Sequence, residues 1–324
     1  MRWILGVTAV AVIVGVVATM TVPAQTITPD EATLKLFPPE TTGIAVIDVA
    51  GLRGAPLFNE LIMQKLPAQF PGPLNEFIQA TGFEIQRDVD KITVGHINQR
   101  EGLAVVQARY DHFKVEQFVQ DKADDINTET YAGRVIYKGP EVTTGDHYSP
   151  VGVSFIDGLI IAGNVSAVKQ AIDRMVPSAP PSIVQNTDLM GDIRTIEAGN
   201  QIWAVGKLEL GPIVNNAPAG PADKFKEMAG SITGGTYQMR IDQDIHIKAT
   251  GSFGSADMAK ASGDTLRGLL AIARLQVGQE QTLIRLLDGV SVENSAEKMT
   301  VTVNASGDVL TQLQEMKGLP GFRH

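Results

Sequence analysis

Between residues 159 and 175 the chain reads LIIAGNVSAVKQAIDRM, and between 299 and 316 it reads MTVTVNASGDVLTQLQEM. Each is a short apolar run, an Asn-x-Ser step and a segment with helical spacing. In the run before the step, Val301 and Val303 alternate with Thr300, Thr302 and Asn304. A period of two puts the two sets on opposite faces of a strand. After the step, Val168, Ala171, Ile172 and Met175 fall at i, i+3, i+4 and i+7, one stripe of a helix. Val309, Leu313 and Met316 repeat that stripe, as do Val115, Phe118 and Val119 in GLAVVQARYDHFKVEQFVQDKADD at 102–125. A fourth copy is DIHIKATGSFGSADMAKASGDTLRGLL at 244–270. Strand-like runs precede all four: KITVGHI at 91–97, VGVSFI at 151–156, TYQMRI at 236–241 and GVSVEN at 289–294. Asp157-Gly158 is a two-residue hairpin signal, and 100–102 and 242–244 read as turns. The recurring unit is hairpin, cap, helix. The caps are Asp111, Ser166, Ser255 and Ser306, whose oxygens are expected to accept bonds from the free amides that open each helix.

The first and third caps, and the second and fourth, lie 140–144 positions apart. A leading strand also occurs twice, GIAVIDV at 43–49 and QIWAVGKLEL at 201–210. Pro177-Ser178-Ala179-Pro180-Pro181-Ser182 cannot continue a helix and divides the chain. The expected fold is α+β, with two similar halves built from repeated β-hairpin–helix units. Each half is an antiparallel sheet with helices packed on one face, because a strand face of β-branched residues must be covered. The boundaries are a leader at 1–24, a lead-in at 25–42, domains at 43–176 and 188–318 around a linker at 177–187, and a tail at 319–324. The helical stretch 256–287 is expected to break near Gly278. Trp203 belongs in the core. Two polar stretches, GPEVTTGDHYSP at 139–150 and GPIVNNAPAGPA at 211–222, read as loops.

The N-terminus changes this picture by adding a compartment. Arg2 supplies a positive start, residues 4–20 are apolar and uncharged, and Val22-Pro23-Ala24 presents small residues of the kind a signal peptidase reads. The apolar run is also long enough to stay behind as a membrane anchor. Export to the periplasm or beyond follows in either case, with membrane contact only through residues 4–20. With no cysteine among the 324 residues there are no disulfides, thiolate nucleophiles or Cys-ligated metals, so the core alone holds the fold. The formal charge of −9 and the lack of Lys/Arg clusters exclude nucleic acid as a partner.

Few residues suggest chemistry. Ser166-Ala-Val-Lys169 matches the S-x-x-K nucleophile motif of penicillin-binding proteins and serine β-lactamases, but the S-D-N and K-T-G partners are absent. Ser306, at the matching place in the repeat, has no lysine three residues on. Asn164-Val-Ser166 and Asn304-Ala-Ser306 fit the glycosylation pattern as well as a strand-to-helix joint. His112 and His147 each follow an Asp, a weak acid–imidazole candidate if the two loops meet. Asp242, Asp244 and His246 alternate, so on a strand they would share one face, as metal ligands do; flanking a turn is the simpler role. No cofactor motif is present: there is no P-loop, G-x-G-x-x-G, H-E-x-x-H or G-x-S-x-G.

In layout the chain resembles a group of exported bacterial proteins of unknown function. They share a signal segment, a lead-in like Phe37-Pro38-Pro39-Glu40 and duplicated hairpin–helix units. The resemblance implies no catalytic residues. The expected function is that of a non-enzymatic envelope protein binding a protein or lipid-like partner. The alternative is an envelope hydrolase using Ser166 and Lys169 or the His112/His147 region.

Overall fold

The computed structural model describes residues 30–61, 72–98, 101–122, 126–144, 147–207 and 230–317. The leader, the stretch 211–222 and the tail lie outside the described residues. The fold is mixed α and β around one large antiparallel sheet. Its centre is a strand pair far apart in sequence. β1 (Gly43–Asp48) runs antiparallel to β8 (Ile202–Gly206), with Val46 opposite Trp203. On one side follow β2 (Val89–Asn98), β3 (Glu101–Ala108), β7 (Leu159–Asn164), β6 (His147–Ile156), β5 (Arg134–Thr144) and β4 (Asn127–Tyr131). On the other follow β9 (Ile232–Ile241), β10 (Asp244–Phe253), β12 (Lys298–Ser306) and the edge strand β11 (Val290–Ser295). Asp157 and Gly158 close the β6–β7 hairpin at φ values of 48° and 82°, the backbone that an Asp-Gly turn adopts.

Helices cover the sheet unevenly. Face A carries Ile44, Val46, Leu103, Val105, Ile161, Trp203 and Val205, all buried. Over it lie α1 (Glu31–Leu34), α7 (Val165–Asp173) and α8 (Thr187–Ile193). Phe37 packs against Gly95, where a Cβ would stand 2.4 Å from the ring. Face B carries Ile47, Ile92, Val106, Ile160, Ile202 and Met239. It is covered by α2 (Val49–Arg53), α3 (Pro56–Leu61), α4 (Gly72–Thr81) and the short α5 (Ile85–Asp88), with α6 (His112–Gln120) resting on α4 through Phe118 and Phe77. Beyond β9, face B continues under α9 (Ala256–Gln276), α10 (Gln281–Asp288) and α11 (Gly307–Lys317). Each large side chain so buried contributes about 1.5–3 kcal/mol, which is what holds the helices down.

Several expectations need correction. The halves do not build separate sheets, since β1 and β8 join the twelve described strands into one. Helices lie on both faces of the β1–β7 region, because β3 and β7 are apolar at odd and even positions alike. Much of the expected loop at 139–150 belongs to β5 and β6. Among the described residues, the four helices between β1 and β2 were not legible as helices; none of those with a described N-cap has a side-chain capping bond. The Pro-rich stretch ends on a fully buried Ile183, whose amide donates to Phe37 O at 2.8 Å. The break near Gly278 is present, at φ 61°, and Trp203 is 1% exposed in the core.

Candidate functional site

Caps were expected at four places, and two have that geometry. Asp111 accepts from Lys114 N at 3.2 Å and Ser255 from Met258 N at 3.2 Å. Ser166 does not cap: it is the second residue of α7, behind Asn164, and its hydroxyl donates to Glu101 Oε1. Asn164 uses its own Oδ1 to accept from Gly102 N at 2.9 Å, which ties the β7 end to the start of β3. Ser306 donates to Asp308 Oδ1 at 2.5 Å. The amide that opens α11, Gly307 N, is met at 3.2 Å by Asp244 from the neighbouring strand. The cap therefore comes across the sheet, from a residue that sequence alone offered as a metal ligand.

Around Ser166 the charges are shared out in pairs. Glu101 also accepts from Asn98 Nδ2 at 2.9 Å. Lys169 Nζ lies 2.6 Å from Glu129 Oε1 and 5.2 Å from the centre of the Tyr131 ring. The Lys169 hydrogen bond, with Lys138 behind it, holds the Glu129 carboxyl below the usual carboxylate range. Tyr131 donates to Asp173 at 3.0 Å, and that bond pushes its phenol up. Serine and lysine thus each answer to a different carboxylate. An S-x-x-K mechanism needs the two to face one another.

His112 is the first residue of α6, its ring 4.9 Å from that of Tyr110. His147 sits on β6, and its side chain lies outside the described residues. Asp242 turns back on its own loop, accepting from Gln243 N at 2.8 Å and Asp244 N at 3.1 Å. Burial pushes its carboxyl up, but those amides, with Arg240 and His246, outweigh it and leave it below the usual range. His246 Nε2 is 3.8 Å from Asp242, while its Nδ1 meets Asn304 Oδ1 at 2.8 Å. With Asp244 engaged at Gly307, the three do not converge. Among the described residues no group of three or more His, Asp or Glu is placed to hold a metal ion.

Sequence reasoning missed a polar row across face A at the centre of the sheet. Asp48 ends β1 opposite Lys91, and Lys91 stands opposite Gln107. Gln107 Nε2 donates to Asp30 Oδ2 at 2.5 Å and to Thr33 Oγ1 at 2.8 Å. On the other side, Gln201 O accepts from Asp48 N at 2.8 Å. Gln201 is 1% exposed, and neither its Nε2 nor its Oε1 has a partner. Burial pushes the Asp48 carboxyl up, opposed by the Gly51 amide and by Lys91 and Arg53. Asp48 stood inside an apolar run and Gln201 at the head of one, so the pattern hid them.

Among the described residues, a broad sheet surface without a helix over it lies on face A of β9–β12. Met239, Ile247, Val301 and Val292 turn to the helices on face B. Their neighbours Lys248, Thr250, Ser252, Thr300, Thr302, Asn304 and Glu293 take the opposite face, as a period of two requires. Along β9 that face is closed at Thr236 and Gln238, both buried, and Gln238 accepts from Glu197 N at 2.8 Å and Asn200 Nδ2 at 3.1 Å. Lys248 reaches Glu197 at 2.5 Å, and Thr250 meets Thr300 at 3.0 Å. The surface is flat and mixed in charge, and among the described residues no helix lies on it. No family model, curated protein or solved structure matches the chain.

Proposed function

We propose that this chain is an exported, non-enzymatic protein of the bacterial cell envelope whose duplicated α+β scaffold presents face A of β9–β12 to a protein partner. The observation that carries the reading is that open face. It is a sheet surface of strands six to ten residues long with polar side chains and, among the described residues, no helix over it, beside a region whose corresponding face carries a buried apolar core. Its lysine, threonines and asparagine suit a protein surface better than a lipid tail. Export rests on Arg2, the apolar run 4–20 and Val22-Pro23-Ala24, with that run either cleaved or kept as the anchor. Among the described residues no helix is long and apolar enough to cross a membrane.

Strand order supports the duplication. Outward from the central pair, β1-β2-β3-β7-β6 runs parallel in plan to β8-β9-β10-β12-β11: a leading strand, a hairpin, then a second hairpin entering by its last strand. The hydrolase alternative gains nothing from the separate pairing of Ser166 and Lys169. A photo-crosslinking residue in place of Thr302 on face A, with one at exposed Gln117 as control, tests the reading in the native host. One discrete adduct from position 302, lost in Lys248→Glu, is expected. Identical adducts from both positions, or fluorophosphonate labelling that disappears in Ser166→Ala, would overturn it.

A further inference from the structure

Helix α9 is apolar on two sides. Its inner side is accounted for: Ala259 and Gly263 are buried, and Leu266 packs against the cluster of Phe253 and Met299. Its outer side carries Met258, Ala261, Thr265, Gly268, Ile272 and Leu275, spaced three and four residues apart in turn. This is the seam of a heptad repeat, the spacing by which one helix packs along another. Met258, Ile272 and Leu275 are 43%, 52% and 83% exposed, and no charged residue stands on the seam. Thr265 turns its hydroxyl back to Ala261 O at 2.8 Å, which leaves its methyl group on the seam. Gly268 sits mid-helix, where it costs about 1 kcal/mol relative to Ala. Among the described residues nothing lies within 4 Å of where its Cβ would be, so the packing they provide gives it no reason to be small. The flanking charges are already satisfied at home, Asp264 by Lys260 and Arg267 at 2.7 Å each.

We propose that this seam is a self-association surface on which a second copy of the chain lays its own α9 antiparallel about a two-fold axis. A two-fold contact must be complementary to itself. The seam meets that condition, because its side chains are small in the middle and large at the ends. Antiparallel packing sets Met258 against the partner's Leu275, Ala261 against the partner's Ile272, and Thr265 against the partner's Gly268. Large meets large at the ends, and the two backbones approach closely at the centre. The inference stands apart from the role proposed for face A, which lies on the other side of the sheet.

The natural chain has no cysteine, so engineered thiols are the only ones present. The full chain carrying both Met258→Cys and Leu275→Cys is expected to form a covalent dimer on mild oxidation. Either single variant should not, since like ends lie about 26 Å apart in the antiparallel arrangement at a rise of about 1.5 Å per residue. Adding Gly268→Leu, which fills the point of closest approach without touching the chain's own packing, should lower the dimer yield about tenfold. The proposal fails if a single variant cross-links as readily as the double, if no variant yields a dimer, or if Gly268→Leu leaves the yield unchanged.

Discussion

The two sides of the central strand pair solve one problem differently. On the β2–β7 side, both sheet faces are buried; along β10–β12, among the described residues, only face B is covered by helices. The divergence begins where β7 and β12 hand over to their helices. α7 brings Val165, Ala167, Val168, Ala171 and Ile172 down on face A, each buried. α11 turns instead to face B, where Val309 is buried and Leu310 packs near Ile245 and Ile247. The strands agree with the helices. β7 is apolar at Ile160, Ile161 and Ala162 in succession, while β12 alternates strictly. A strand that is apolar on both sides demands two covers, and an alternating strand demands one. The comparison teaches that repeated spacing fixes the local unit, whereas the choice of face depends on the parity of apolar residues in the strand beneath.

The contrast is sharpest in side-chain truncation. Ile161→Ala on β7, a fully buried position, should cost about 2–5 kcal/mol. Thr302→Ala on β12 should stay within about 0.5 kcal/mol in urea titration. A large loss at Thr302 would mean that face A of β12 is covered after all. The joint between the two sides gives the next largest effect. Gln201→Met replaces an amide without partners by an apolar chain of similar length, and should raise stability by about 1–3 kcal/mol. A loss there would show that the amide is satisfied.

Caps separate the units on a finer scale. Ser255→Ala should cost about 1 kcal/mol, because it strips a bond from Met258 N. Ser166→Ala should cost less than half of that, since Ser166 is exposed and its hydroxyl meets only the half-buried Glu101. Equal losses would restore Ser166 as a cap. The smallest effect is one of pH. Asp48 has a carboxyl raised by burial, so the folded chain binds that proton more tightly than the unfolded chain. Its ionisation weakens folding as pH rises from the ordinary value of 3.8 through the raised one. Asp48→Asn, which keeps an acceptor for the Gly51 amide, should therefore stabilise the chain at pH 7 and lose that advantage below pH 3.8. A thermal-melt series across pH measures it, and a gain that persists in acid would contradict it.

Much of the framework was legible because the signals are local. Alternation in residues 299–305, the Asp157-Gly158 turn and the stripe Val168, Ala171, Ile172 each fix an element by themselves. Two things were not legible. The pairing of β1 with β8 joins residues more than 150 positions apart, and no local pattern encodes a partner. Side-chain assignments at the joints were also open, because Asn164 and Ser166 can serve the same amides. The nearness of Gly102 and Glu101, fixed only once β3 lies beside β7, decides between them. Of the site, S-x-x-K was visible as letters, but Glu129 and Glu101 come from other strands. The open face was half visible: alternation marked one side of β10 and β12 as polar, yet gave no sign that it stays uncovered.

Under the proposed role, face A of β10–β12 is expected to be open in the isolated chain and occupied in the envelope. Thiol labelling of Thr302→Cys, with buried Val105→Cys as reference, measures both states in a chain that has no other thiol. The expected result is fast labelling at 302 in purified protein, slow labelling at 105, and protection at 302 in the intact envelope. Slow labelling at 302 in the purified chain, or equal labelling there and in the envelope, would contradict the account.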